Sequence, residues 1–194
     1  MRREIAPLHS PKVSVGQLPP HELSDGVIRL RIPTHADIDR VARYGADPIF
    51  LKGFWIPGLQ PGQDVYEWAS VFVEELLAGW TVLGGIHGGG LIVDEREPFL
   101  GIVYLAPISV VAVELTYGVA PHARGRGIAS RAARLATAWA LTDGGFERVE
   151  LRIDNGNIES QRVAEKTDFR CVERFLTYIE GTGKTAEDLF YVYP

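Results

Sequence analysis

The sequence has one cysteine, one methionine and no long apolar run. One thiol in 194 residues excludes a disulfide within the chain and a cysteine-based metal site, and we expect Cys171 to be a small buried residue. No segment approaches the roughly 20 apolar residues of a membrane-spanning helix, and the first residues lack the apolar core of a signal peptide. We therefore expect a cytoplasmic protein without a membrane partner.

Positive charge is also in short supply, because 20 Lys and Arg residues face 25 Asp and Glu residues, for a net charge of -5. Such a surface repels nucleic acid on average, so no nucleic-acid partner is expected, and a phosphate-bearing ligand needs a local positive feature. The apolar fraction of 46% suffices for one core. Prolines and the lack of a helical period predict an N-terminal extended arm over residues 1–24, followed by a single domain over residues 25–194.

Hydrophobic periodicity predicts an alternation of strands and helices along that domain. A two-residue period indicates a strand at 27–32, and capping residues Thr34 and Asp64 begin helices that end at Gly45 and Gly79. The remaining elements are strands at 80–86, 88–93, 99–106 and 112–119, a long helix at 127–142, a strand at 148–153, a short helix at 158–167, and strands at 171–179 and 189–193.

Residues 113–130 carry the most chemical information, because a predicted strand runs through a short loop directly into the long helix. Gly125 and Gly127 let the backbone approach a ligand closely, and the first N–H groups of a helix favour an anion. Arg124 and Arg126 add positive charge to an otherwise acidic chain. The alternative is a basic turn that merely starts a helix.

Two motifs in this part of the chain resemble those of a known family. Residues 124–129 resemble the pyrophosphate-binding signature of the GNAT superfamily, and residues 157–169 resemble its second signature, which opens with Asn157 and ends at Phe169. The order of elements over residues 27–193 is similar as well. Within the superfamily, residues 30–39 and 114–117, with Asn157 and Ser160, most resemble the subgroup of ribosomal-protein N-terminal acetyltransferases.

The resemblance implies a mixed α+β fold. Its sheet would have about seven strands, mostly antiparallel, with helices on both faces. The family's fourth and fifth strands, here 112–119 and 148–153, would be the parallel pair and would splay apart.

The resemblance also implies acetyl-CoA as acyl-donor cosubstrate and no metal. Asn157 would contact the pantetheine arm, with a simple helix cap as the alternative. The backbone of the fourth strand would bond the pantetheine amides, and the glycine loop would hold the pyrophosphate. These cofactor-binding residues are Tyr117, Gly118, Val119, Arg124, Gly125, Arg126, Gly127, Ile128, Ala129, Ser130 and Asn157.

Glu114 is the expected general base, because similar enzymes place a carboxylate there to deprotonate the attacking amine. The alternative is a charge on the outer face of its strand. Ser160 would donate or relay a proton to the sulfur. Many relatives have a tyrosine acid where this chain has Ala164, so Ser160, water, Tyr178 or Tyr191 could take that role.

The expected activity is N-acyl transfer, most simply acetyl transfer, to an amine-bearing small molecule or a protein N-terminus, by direct attack on the thioester. A catalytically silent acyl-CoA-binding module and an enzyme of secondary metabolism with another acyl donor or acceptor are the alternatives. Phe54 and Trp55 either line the acceptor pocket or cover the core. The resemblance is also compatible with a homodimer.

Overall fold

The computed structural model describes residues 22–47, 62–77, 88–179 and 184–194. The predicted strand at 80–86, the loop residues Phe54 and Trp55, and the side chain of Tyr178 lie outside what it describes. The described residues form one eight-stranded sheet with four α-helices.

The strands and helices follow the predicted order. The strands are β1 (Glu22–Ser24), β2 (Arg29–Arg31), β3 (Gly88–Val93), β4 (Gly101–Pro107), β5 (Ala112–Val119), β6 (Arg148–Asp154), β7 (Arg170–Ile179) and β8 (Lys184–Val192). The α-helices are α1 (Ile38–Gly45), α2 (Val65–Leu77), α3 (Ile128–Leu141) and α4 (Ile158–Lys166). Short 3-10 turns, His35–Asp37 and Pro121–Ala123, precede α1 and the glycine loop.

The strand order across the sheet is β1-β2-β3-β4-β5-β6-β8-β7, and β5–β6 is the parallel pair among otherwise antiparallel neighbours. This confirms the mixed, mostly antiparallel sheet. The described sheet has eight strands where about seven were expected, and it includes β1, a strand that the sequence did not reveal, which pairs with β2 from Glu22 opposite Arg31 to Ser24 opposite Arg29. A strand of three residues is too short to show a period in the sequence.

The parallel pair separates after three residues. Its ladder runs from Ala112 opposite Arg148 to Glu114 opposite Glu150, although both strands continue beyond those positions. On its other edge, β6 pairs with β8 from Glu150 opposite Val192 to Asp154 opposite Asp188. The predicted splaying of these two strands, the fourth and fifth of the family, is therefore confirmed.

The sheet carries a hydrophobic core on each face. On one face Ala132, Ala136 and Trp139 of α3 pack in a cluster with Val113 and Leu115 of β5. On the other, residues of α1 and α2 pack against β3 and β4, and Trp68 stacks on Phe72 at a ring-centroid distance of 5.2 Å. The helices thus lie on both faces, as predicted, and each face of β5 meets a different environment.

Close packing accounts for Gly89, the middle residue of the glycine tract at the start of β3. A Cβ on Gly89 would lie 2.4 Å from the carbonyl oxygen of Val103 on β4 and 3.0 Å from a methyl group of Leu76 on α2. Only glycine therefore fits between the neighbouring strand and the helix that covers it.

Cys171 is exposed, so the expectation that it is buried is wrong. It lies on β7, which is the last strand of the sheet and has a neighbour on one side only. None of the helices in the described residues is long and apolar enough to span a membrane.

Asp37, at the start of α1, is the centre of a buried ionic network. Its side chain accepts hydrogen bonds from both terminal nitrogens of Arg31 at 2.9 Å, from the backbone N–H of Thr34 at 2.9 Å and from Arg40 at 3.0 Å. Burial alone would raise the pKa of Asp37, but the bonds from Arg31 and Thr34 and the charge of Arg31 outweigh it and lower the pKa to about 2. The network ties β2 to the first turn of α1.

We expect Asp37→Asn to destabilise the fold by roughly 2 kcal/mol at neutral pH, given the lowered pKa. A depressed carboxylate pKa contributes stability that is present above its ordinary value of 3.8 and is lost as the pH falls through about 2. Urea unfolding at several pH values should show the gap between variant and wild type narrowing over that interval. Glu95→Gln, at an exposed carboxylate, is the control; an equal loss in both variants, or a loss independent of pH, would contradict the network.

Candidate functional site

A cavity of about 500 Å³ opens where β5 and β6 separate. Its walls are the end of β5, the loop that leads into α3, the first turn of α3, and α4. Eleven of the thirteen site residues expected from the sequence line it, namely Tyr117, Gly118, Val119, Arg124, Gly125, Gly127, Ile128, Ala129, Ser130, Asn157 and Ser160. The side chains of Glu114 and Arg126 lie elsewhere.

The loop between β5 and α3 has the geometry of an anion cradle. Gly125 and Gly127 both have φ +74, a left-handed conformation that favours glycine, and a Cβ built on either would meet nothing within 4 Å. The first amides of α3 follow directly, and the earliest backbone bond back to the loop runs from Arg131 to Gly127. The N–H groups of Ile128 to Ser130 therefore have no backbone acceptor within α3, and they lie at the positive end of the helix dipole.

Both arginines of this loop are held by carboxylates. The Nε of Arg124 donates to the carbonyl of Val119 at 3.1 Å, and its guanidinium lies 3.7 Å from Asp47. Arg126 donates to Asp94 at 3.2 Å and does not line the cavity. Positive charge is thus present at the loop, but it is already paired with acidic groups of other elements.

Helix α4 forms the opposite wall, and its first turn is fixed in two ways. Asn157 caps the helix, since its Oδ1 accepts from the backbone N–H of Ser160 at 3.1 Å. The hydroxyl of Tyr117 on β5 donates to the carbonyl of Ser160 at 3.3 Å across the gap. Burial raises the pKa of Tyr117, so its hydroxyl stays protonated and acts as a hydrogen-bond donor.

Glu114 lies on the other face of β5. It is three residues before Tyr117, so the two side chains point to opposite sides of the sheet, and it sits between Ala106 of β4 and Glu150 of β6. Its side chain is 21% exposed and lies 3.5 Å from Arg152. Burial raises the pKa of Glu114, the charge of Arg152 opposes this, and the charges of Glu150 and Asp188 add to it. Glu114 is therefore a carboxylate of increased basicity, and it belongs to the last residue pair of the β5–β6 ladder.

The structure also locates Ala164, which replaces the tyrosine acid of many relatives, and Tyr191, a candidate to take over that role. Tyr191 is only 4% exposed and packs in the core on the α3 face, and it is absent from the cavity lining. Ala164 is buried in the same core. Tyr117 is the tyrosine that the structure places in the cavity wall, although the sequence suggested only a backbone role for it.

Several residues at the cavity were not identified from the sequence. Glu159, Arg162, Val163 and Lys166 line it from α4, and their spacing of three or four residues along the helix was the available signal. The contact of Arg152 with Glu114 had no such signal, because it depends on the register of β6 beside β5. Among the described residues, no three His, Cys, Asp or Glu side chains are grouped as metal ligands would be.

Comparisons with known proteins agree with this geometry. A family model described as an acetyltransferase (GNAT) domain matches residues 28–170, well over half of the chain. No curated protein sequence matches.

Solved structures share the fold at low sequence identity. A GNAT-family acetyltransferase from Bacillus anthracis has a TM-score of 0.75 at 18% identity, covering 88% of this chain and 96% of its own. RimJ from Mycobacterium smegmatis, in complex with CoA-disulfide, has a TM-score of 0.69 at 21% identity, covering 86% and 81%. A spermidine N-acetyltransferase from Vibrio cholerae, in complex with CoA and spermine, has a TM-score of 0.68 at 14% identity, covering 87% and 97%.

The capping bond of Asn157 can be tested by stability alone. We expect Asn157→Ala to lower the free energy of unfolding by about 1 kcal/mol, because the N–H of Ser160 loses its partner. Asn157→Asp keeps an oxygen acceptor and should retain most of the wild-type stability. Chemical denaturation measures both, and equal losses in the two variants would show that the cap contributes nothing.

Proposed function

Because the chain belongs to the GNAT acetyltransferase family, we propose that it is an acyl-CoA-dependent N-acyltransferase that uses acetyl-CoA and a primary amine. One observation carries the proposal. The glycine cradle and its cavity lie on one face of β5, a carboxylate of raised pKa lies on the other, and the ladder between β5 and β6 ends at that carboxylate. A donor and an acceptor can thus approach each other from opposite faces of the sheet.

The residues around the cavity fit coenzyme A. The open space beside Gly125 and Gly127, bounded by the first amides of α3, suits a pyrophosphate. The β5–β6 ladder ends at Glu114, so the following backbone from Tyr117 to Val119 is available on that side to bond the pantetheine amides as a neighbouring strand would. Asn157 and Ser160 lie on the other side of the same cavity.

When bound, acetyl-CoA would supply a thioester carbonyl as the electrophile. Glu114 would remove a proton from the acceptor ammonium, and its raised pKa makes it a stronger base than an ordinary glutamate. Ser160, whose backbone is fixed by Asn157 and Tyr117, would donate or relay a proton to the departing sulfur. Tyr117 is bonded to the carbonyl of Ser160 and would position that helix turn.

Glu114 faces the side of the sheet covered by α1 and α2, so we place the acceptor there. A small amine and a protein N-terminus both satisfy the chemistry. The resemblance to a spermidine N-acetyltransferase and to RimJ supports an amine in general.

A cytoplasmic location, a homodimer and the division into an arm (1–24) and a domain (25–194) remain predictions.

Calorimetric titration with acetyl-CoA and desulfo-CoA tests the cofactor assignment. Gly127→Trp should abolish binding, because its side chain would occupy the open space of the cradle. Gly145→Trp is a matched control, since Gly145 has φ +70, is equally unobstructed and lies beyond the far end of α3. Failure of the wild type to bind either ligand would refute the proposal.

Turnover separates an enzyme from a silent binding module. We expect Glu114→Gln to reduce thiol release about 10²-fold or more with an active acceptor, while the affinity for desulfo-CoA is unchanged. The screen should include polyamines, small primary amines and peptides with free N-termini. Binding without turnover on every acceptor and acyl donor would instead favour the silent module.

The pH dependence tests the environment of Glu114. The base must be unprotonated, so kcat/KM should fall as the pH drops through the pKa of Glu114. Arg152→Gln removes the positive charge that opposes the rise of this pKa, so the acid limb should move to higher pH. Arg170→Gln, an exposed arginine at the start of β7, should leave the limb in place. An acid limb unmoved by Arg152→Gln would argue that another group is the base.

A further inference from the structure

The turn between β3 and β4 reaches the glycine loop through one ion pair. Asp94 follows β3, and its Oδ1 accepts the backbone N–H groups of Arg96 and Glu97 at 2.8 and 2.7 Å. Its Oδ2 accepts from Arg126 at 3.2 Å. The side chain of Asp94 is 15% exposed. Both oxygens therefore accept hydrogen bonds. The backbone of the turn holds the carboxylate in place for its contact with Arg126.

Arg126 stands between the two glycines that shape the cradle. Gly125 and Gly127 both adopt φ +74, and glycine gives a chain more conformational freedom than any other residue. A side chain anchored between them restricts that freedom. Arg126 points to the β3–β4 turn, outside the cavity, so its anchor leaves the space beside the loop amides open.

We propose that Asp94 is a positioning residue for the cofactor site, acting through Arg126 to hold the glycine loop in its binding shape. This inference rests on the proposed function, because it assumes that the cradle takes the pyrophosphate of coenzyme A. Arg126 is then a clamp on the loop, and the backbone N–H groups contact the phosphate. Asp94 itself touches no ligand.

A direct contact between Arg126 and the phosphate predicts the opposite change in binding affinity. If Arg126 were a direct phosphate ligand, Asp94 would compete with the phosphate for its guanidinium. Removing the charge of Asp94 would then free the arginine and tighten binding. If Asp94 positions the loop, removing its charge releases the clamp and weakens binding.

The test is calorimetric titration of desulfo-CoA into full-length wild type, Asp94→Asn, Arg126→Gln and the double variant. Asparagine keeps the Oδ1 that accepts from Arg96 and Glu97, so the turn itself is retained. Glu95→Gln is the matched control, because it removes the same charge from an exposed neighbour in the same turn. It corrects for the general gain in anion attraction when one negative charge is lost.

We expect Asp94→Asn and Arg126→Gln each to weaken binding about two- to fivefold relative to Glu95→Gln, in keeping with one partly exposed ion pair. The double variant should be no weaker than either single variant, because both break the same contact. The melting temperatures should stay close to wild type, which separates loop positioning from a general loss of fold.

Two results would overturn the inference while leaving the proposed function intact. One is binding by Asp94→Asn as tight as or tighter than that of Glu95→Gln. The other is additive weakening in the double variant. Failure of wild type to bind desulfo-CoA would instead refute the proposed function on which the inference rests.

Discussion

The early end of the β5–β6 ladder is the constraint on which the rest of the site depends. Two parallel strands that stay paired would leave a closed sheet, with no passage between its faces. Here pairing between β5 and β6 stops at Glu114 and Glu150, while β6 continues to Asp154 paired with β8 on its other edge. The edge of β5 from Leu115 onward is thereby left to form one wall of the cavity, and α4 forms the other.

Charge is arranged to suit that geometry in an acidic protein. The proposed anion cradle consists of helix amides and glycine backbone, and the two arginines of its loop are paired with Asp47 and Asp94. On the opposite face, burial and neighbouring carboxylates raise the pKa of Glu114, and Arg152 limits the rise. The proposed sites of anion binding and proton removal therefore lie in two separate electrostatic environments, one on each side of β5.

The sequence was sufficient to predict the features of the structure that depend on residues close together in the chain. The helix start at Gly127, the capping residue Asn157 and the alternation in β6 depend on neighbours within a few residues, and the structure has each of them. The exposure of Cys171 was predicted wrongly, because it depends on β7 being the edge strand. The short strand β1 was not recognised for a related reason: its three residues are ordered by pairing with β2.

The amino-acid sequence was enough to identify the family, the glycine loop before α3 and the alternation that puts Glu114 and Tyr117 on opposite faces of one strand. The contacts around these residues became known from the folded chain. The contacts of Glu114 with Arg152, of Tyr117 with Ser160 and of Arg126 with Asp94 join residues 32 to 43 positions apart. Such contacts follow from strand register and from where the ladder ends, and periodicity within one segment carries no information about either.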